Sequence, residues 1–221
     1  MGDVAELAIF PLSNVVLFPR VQTPLHLFEP RYRQMAEHVI AGNRRLGMVT
    51  VPPEHVADMP GDPPVYPIGC EGIVAQAQRL PDGRFNVVLV GTRRFRIRSE
   101  RPRPADRLYR VAEVELLADP YPGSERPRVQ ELRRRIVAAL RALAHRADPK
   151  RADQLEGGPF ADLDDATFVD SLSNALAFDP PEKQGLLEAA SIPERFERLE
   201  GLLSFRLAAV GTGSGDPRRL H

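Results

Sequence analysis

Two runs, Gly72 to Leu80 and Arg84 to Arg98, flank the tripeptide Pro81-Asp82-Gly83, and no other stretch constrains the fold of this chain so tightly. Proline fixes φ, aspartate bonds its own backbone, and glycine reaches left-handed conformations, so the two runs are expected to pair as an antiparallel hairpin. Within the second arm, Arg94-Phe95-Arg96-Ile97-Arg98 alternates strictly, which predicts Phe95 and Ile97 turned inward and the three arginines outward. Gly91 interrupts that arm and predicts a bulge or bend, of the kind found where a sheet curls toward a barrel.

The rest of the first half reads as further short strands and one helix. Leu7 to Leu12 is an apolar run ended by Pro11 and Ser13-Asn14, and Val15 to Phe18 is a second run stopped by Pro19; prolines so placed suggest sheet edges. A helix follows, with Pro30 in its first turn, Tyr32, Met35, Ala36, Val39 and Ile40 on one face, and Gly42-Asn43 closing it. Leu46 to Val51 and Tyr109 to Leu117 supply two more strands. Pro52 to Pro67, rich in proline, acids and glycine, is expected to be a surface loop and a candidate mobile arm.

Composition changes after residue 118. The expected layout is a β-rich unit over 1–118, a linker over 119–127 with three prolines and a glycine, a helical unit over 128–208 and a disordered Gly/Ser-rich tail over 209–221. Val129, Leu132, Ile136, Leu140 and Leu143 make one apolar stripe, and Asp148 to Asp165 reads as a polar loop. Phe168, Leu172, Ala175 and Leu176 mark the next helix. Asp179-Pro180-Pro181-Glu182 and Ser191-Ile192-Pro193-Glu194 both carry the grammar of a capping residue, a first-turn proline and a glutamate reaching back.

Several chemistries find no footing in the residues. Neither lysine, Lys150 nor Lys183, follows a glycine loop between strand and helix, so no P-loop is expected. Gly211-Thr212-Gly213-Ser214-Gly215 lacks the spacing of a nucleophile elbow. His26, His38, His55, His145 and His221 are scattered without ligand spacing, and Asp162, Asp164 and Asp165 read as a solvated helix cap rather than a calcium loop. Cys70 is the single cysteine and reads as a small buried apolar residue, so no internal disulfide forms. No metal or cofactor is expected.

The formal net charge is +0, which removes any global field toward nucleic acid or anionic membranes. The start of the chain lacks the basic and apolar pattern of a signal peptide and no apolar stretch is long enough to span a bilayer, so the expected location is the cytoplasm. A local basic feature remains, running through Arg93, Arg94, Arg96, Arg98, Arg101, Arg103, Arg107 and Arg110.

Phe10-Pro11-Leu12, Val16-Leu17-Phe18-Pro19 and Pro24-Leu25-His26-Leu27-Phe28-Glu29-Pro30-Arg31-Tyr32 together resemble the opening signature of the Lon protease N-terminal domain family. Gly69-Cys70-Glu71-Gly72-Ile73-Val74-Ala75, Leu80 to Arg84 and Val90 to Ile97 are similar to its second block, and Asp179 to Glu188 with Arg195-Phe196 to Leu203 continue the likeness over roughly residues 7 to 207. The resemblance implies an α+β protein whose N-terminal half is a PUA-like β-barrel or pseudo-barrel with one helix, followed by a C-terminal α-helical bundle. It also implies a non-catalytic module that binds unfolded or partner polypeptides, as an adaptor to a Lon-type protease, without the family's ATPase and Ser-Lys peptidase chemistry.

The residues expected to carry polypeptide binding are Phe18, Leu25, Phe28, Glu29, Arg31 and Tyr32, on an apolar groove with proline-stopped edge strands beside it. The alternative is RNA binding through Arg94, Arg96 and Arg98 on the outer strand face. A third reading is a small-molecule regulator with a pocket between the halves.

Overall fold

The computed structural model describes residues 3–147, 160 and 162–212. These form two compact units. The first comprises Met1–Asp119 with Asp170–Glu188, and the second Pro120–Val169 with Ala189–His221. Asp170–Glu188, expected within a helical unit over 128–208, groups with the strands of the first unit.

The first unit is built on six strands, β1 (Val4–Leu12), β2 (Gln22–Leu27), β3 (Arg45–Thr50), β4 (Ile68–Arg79), β5 (Phe85–Glu100) and β6 (Arg110–Leu116), with the helix α1 (Pro30–Ala41) between β2 and β3. The sheet order is β2-β5-β4-β3-β1-β6, and β5 also pairs with β6. Pairing thus runs in a closed ring through β5, β4, β3, β1 and β6, while β2 lies on the first half of β5 outside that ring. Among the described strand pairs, only β1 and β3 run parallel.

One long strand can serve three neighbours because bulges bend it. Glu71 opposes Arg93 and Gly72 opposes Gly91, leaving Thr92 extra on β5 as Gly91 predicted; further shifts fall between Val74 and Gln76 and between Ile97 and Ser99. The hairpin turn is as expected, with Gly83 at φ 81 and its N–H donating to Leu80 O at 2.9 Å. Leu7, Ile9, Val49, Phe95, Ala112 and Val114 form a buried cluster on β1, β5, β6 and the end of β3. Its centre is Phe95: a Cβ added at Gly47 or Gly69 would fall 2.8 or 2.6 Å from the ring, so two glycines make the space the aromatic fills.

Other expectations need adjustment. β1 does not stop at Pro11, which pairs with Val49. Val15 to Phe18 is not a strand; Val16, Leu17 and Phe18 are buried from an irregular segment, and Leu17 lies beside Gly72. β2 carries Pro24 at its middle and was not anticipated. The helix α1 has its proline at the start, buries Tyr32, Met35, Ala36 and Val39 and is closed by Gly42, whose N–H donates to His38 O at 3.0 Å; the left-handed residue comes two positions later, at Arg44 with φ 60. Pro52 to Pro67 contains a short 3-10 turn, Pro53–Asp58, and is fastened by Arg31 to Met59 O and Gly61 O, by Arg103 to Asp62 and by Arg110 to Pro63 O.

Arg94 contradicts the outward, solvated placement. It does point away from Phe95, but it is only 3% exposed. Its Nε donates to Asp119 Oδ1 at 2.7 Å, Nη2 to Ala118 O at 2.9 Å and Nη1 to Leu187 O at 3.2 Å. Beside it Arg20, left-handed at φ 64, reaches Asp170 at 2.5 Å and Asp119 at 3.3 Å. The helix α4 (Pro180–Leu187) starts with the expected capping box of Asp179 and Glu182, and Gln184 donates to Ile68 O at 2.9 Å.

The second unit pairs α2 (Arg126–Ala147) with α5 (Ile192–Thr212); the helix α3 (Asp165–Ala175) begins here and ends in the first unit. Val129, Leu132 and Ile136 are buried, as are Phe196, Leu199 and Leu203. Phe168 stacks on Phe196 at 5.9 Å, and the Arg133 guanidinium lies 4.1 Å above the Phe168 ring. Asp164 caps α3 through Thr167, whereas Asp165 is no solvated cap: it accepts from Tyr121, Gln130 and Arg133. Residues 209–212, expected in a disordered tail, continue α5; the rest of that tail and most of the loop over 148–165 lie outside the described residues.

Phe95→Ala is expected to cost about 3–5 kcal/mol, because the ring leaves a cavity to which Gly47 and Gly69 bring no side chain of their own. Urea unfolding of the variant reads this directly, and a loss below about 1 kcal/mol would contradict the packing described.

Candidate polypeptide-binding face

The six residues expected to form a groove are not brought together on one surface. Phe18 is 0% exposed, and its carbonyl sits so close to Gly91 that no side chain fits there. Tyr32 is buried edge-on to Phe10 at 4.5 Å, with its hydroxyl donating to Pro11 O at 3.4 Å. Burial pushes the Tyr32 phenol up to about 12, despite the nearby Arg31 guanidinium pulling it down. Phe18 and Tyr32 are core residues, and their expected place in an open groove is corrected.

Glu29 and Arg31 are half-buried and spend their polar groups on the fold. Arg31 pairs with Glu29 at 2.9 Å, lies 4.6 Å above the Tyr32 ring and holds the 52–67 loop through two carbonyls. Leu25 is half-buried on β2. Phe28 alone of the six stands open, at 59% exposure, directly after β2.

Beside Phe28 lies a surface that single-residue patterning did not reveal. Strand register sets three rows across β2, β5 and β4: Gln22, Val90 and Ile73; Pro24, Val88 and Gln76; His26, Asn86 and Gln78. Alternation puts these residues on one face, opposite the buried Val87 and Leu89. A groove of about 460 Å³ crosses it, lined by Pro24, His26, Gln76, Gln78, Asn86 and Val88 among others. His26 stacks on Phe28 with ring centres 6.1 Å apart. None of the nine row residues is Asp, Glu, Lys or Arg, in a chain where 27% of residues are. These nine positions therefore offer apolar side chains and uncharged carboxamides, with the Arg84–Asp82 ion pair standing beside His26 at the turn end.

The outer edge of β2 behaves differently from its face. Gly91 N–H donates to Val21 O at 2.9 Å, and alternation from there leaves Gln22, Pro24 and His26 with main-chain groups directed away from β5. Among the described residues β2 has β5 as its one strand partner. Pro24 removes the central N–H of that free edge, which weakens it as a template for another strand.

The arginine stripe is compensated. Arg94 is buried, as described; Arg98 pairs with Glu115 at 2.5 Å, Arg101 with Glu6 and Glu113, Arg103 with Asp62, and Arg110 with Glu100. Arg96 is exposed. With most of its guanidiniums already matched by carboxylates, the row presents a weakened field to phosphate. No group of three or more His, Cys, Asp or Glu that could hold a metal is found among the described residues.

A family model described as the ATP-dependent protease La (LON) substrate-binding domain matches residues 6–204. Lon protease from Rhizobium meliloti is 25% identical over 208 residues, covering 94% of this chain and 25% of that protein. Lon protease 1 from Thermus thermophilus is 27% identical, covering 90% and 24%. The chain thus spans about a quarter of the length of these curated relatives. The N-terminal domain of Mycobacterium avium complex Lon protease superposes with a TM-score of 0.65 at 17% identity, covering 90% of this chain and 98% of that one. The Lon N-terminal domain protein from Xanthomonas campestris gives 0.57 at 23%, covering 91% and 98%. At these identities the structures speak to fold.

Phe18→Ala is expected to destabilise by about 3–5 kcal/mol and Phe28→Ala by less than about 0.5 kcal/mol, since only the first side chain leaves a cavity. Comparable losses in chemical denaturation would contradict the division into core and open face. Pro24→Thr should restore a donor to the β2 edge and raise concentration-dependent association in light scattering; a variant that stays as monodisperse as its parent would remove that role from Pro24.

Proposed function

Because the chain belongs to the ATP-dependent protease La (LON) substrate-binding domain family, we propose that it recognises polypeptide, and that the face of β2, β5 and β4 beside Phe28 receives extended segments of unfolded or partner proteins. The observation that carries this reading is an uncharged, partly apolar sheet face ending in an open aromatic ring. Unfolded segments share two things whatever their sequence: apolar side chains that gain from leaving water, and main-chain amides that need partners. Ile73, Val88, Val90, Pro24 and Phe28 answer the first need, and Gln76, Gln78 and Asn86 answer the second.

On this reading the closed ring of strands is a PUA-like pseudo-barrel used as a rigid support, and the described chain binds rather than transforms its ligand. It works in the cytoplasm as the recognition arm of Lon-type proteolysis, handing polypeptide to a protease that supplies ATP hydrolysis and peptide-bond cleavage. No helix among the described residues is long and apolar enough to cross a membrane.

The test is fluorescence anisotropy with a short, end-capped, labelled peptide of phenylalanine, valine, glutamine and serine. Phe28→Ala is expected to weaken binding roughly tenfold, the effect of an exposed aromatic anchor. Affinity should change less than about twofold between low and high salt, because no charged row residue takes part. Steep salt dependence, or binding of a single-stranded RNA that Arg96→Glu abolishes, would overturn the assignment in favour of the arginine face.

A further inference from the structure

The polar end of the open face is ordered by a chain of bonds that starts in the hairpin turn. Arg84 is held by Asp82, Nε to Oδ2 at 2.7 Å. Its Nη1 lies 3.2 Å from His26 Nε2, and His26 Nδ1 lies 2.7 Å from Asn86 Oδ1. A guanidinium has donors only. His26 Nε2 must therefore accept, the neutral imidazole carries its proton on Nδ1, and the Asn86 atom facing that proton must be the carbonyl oxygen. What is elsewhere an arbitrary choice of tautomer and amide orientation is here dictated by Arg84.

The consequence falls on the other end of the carboxamide. With its oxygen engaged by His26, Asn86 is left with an NH2 group that has no hydrogen-bond partner among the described residues. Residue 86 lies in the row between His26 and Gln78, two residues along β5 from Val88 and across β2 from the Phe28 end of the face. We propose that Asn86 is the oriented hydrogen-bond donor among the carboxamides of this face, recognising a main-chain carbonyl oxygen of an extended polypeptide, with Arg84 and His26 as the positioning residues that fix its orientation. This deepens the reading of the face as polypeptide-binding and rests on it. An extended chain presents a carbonyl at every residue, so one oriented donor among apolar side chains selects strand-like backbone without selecting sequence. Because His26 also stacks on Phe28, the same imidazole holds the donor and the aromatic anchor in register.

Nitrogen-15 shifts of the His26 ring in the neutral protein are expected to show the Nδ1–H tautomer, and Arg84→Met to return it to a mixture dominated by Nε2–H. A wild-type ring already in the Nε2–H form would overturn the relay. With the same capped peptide, Asn86→Asp, which replaces the donor by an acceptor of equal shape, is expected to weaken binding roughly tenfold. Arg84→Met should cost roughly threefold alone and nothing further in the Asn86→Asp background, the non-additivity of residues acting as a unit. If Phe28→Ala loses binding while Asn86→Asp keeps it, the donor assignment fails and the face stands. If the peptide binds without regard to Phe28 and Asn86 alike, the face itself is misassigned and this inference goes with it.

Discussion

Asp170 is a carboxylate with no solvent exposure, and it survives there because Arg20 reaches it at 2.5 Å while Arg94, itself buried, shares Asp119 with the same arginine. Arg94 and Asp170 are out of water and carry a desolvation cost, while Arg20 and Asp119 stay partly exposed; close geometry and the added bonds from Arg94 to Ala118 O and Leu187 O offset that cost. Such a cluster contributes little net stability over an apolar substitute, but removing a charged partner from the buried Arg94 or Asp170 is expected to cost more, up to about 3–5 kcal/mol. It therefore sets register more than strength. On β5, Phe95 faces the buried cluster on β1 and β6 while Arg94 faces the helical segment 170–188, and the bulge at Thr92 sets which residue points which way. The strand arrangement that displays Gln22 to Phe28 beside Asn86 to Val90 follows from that register.

Local chemistry made much of this legible. The Pro81-Asp82-Gly83 turn, the bulge beside Gly91, the proline start of α1 and the capping box at Asp179 are all written within a few residues, so the sequence states them directly. What failed was anything that depended on a distant partner. Alternation rightly turned Arg94 away from Phe95, yet it held no information that Asp119 and Leu187 would cover that side. Pro24 fits mid-strand only because β5 provides a ladder in which its missing N–H falls on the free edge. Phe18 and Phe28 are alike in sequence, and only the approach of Phe18 to Gly91 distinguishes core from open surface.

The proposed binding face was hidden for a related reason. Its residues come from three strands, Gln22 to His26, Ile73 to Gln78 and Asn86 to Val90, and no one of these reads as a motif. The signal available in the sequence was negative: three strand segments whose outward positions lack charge, in a chain otherwise dense in arginine and carboxylate. In the conspicuous arginine stripe, Arg98, Arg101 and Arg110 are matched by Glu6, Glu100, Glu113 and Glu115. Compensated charge keeps the surface hydrated, and uncharged surface is what an extended polypeptide can dry. Membership of the LON substrate-binding domain family agrees with that division of labour.

The most direct test of this account is to map amide shifts in the nitrogen-15-labelled protein while titrating the capped peptide. The account predicts perturbations concentrated at residues 22–28, 73–78 and 86–90, with the residues around Arg96 and the helices α2 and α5 unchanged. Shifts centred on α2 and α5, or on residues 96–103, with the three strand segments silent, would contradict it.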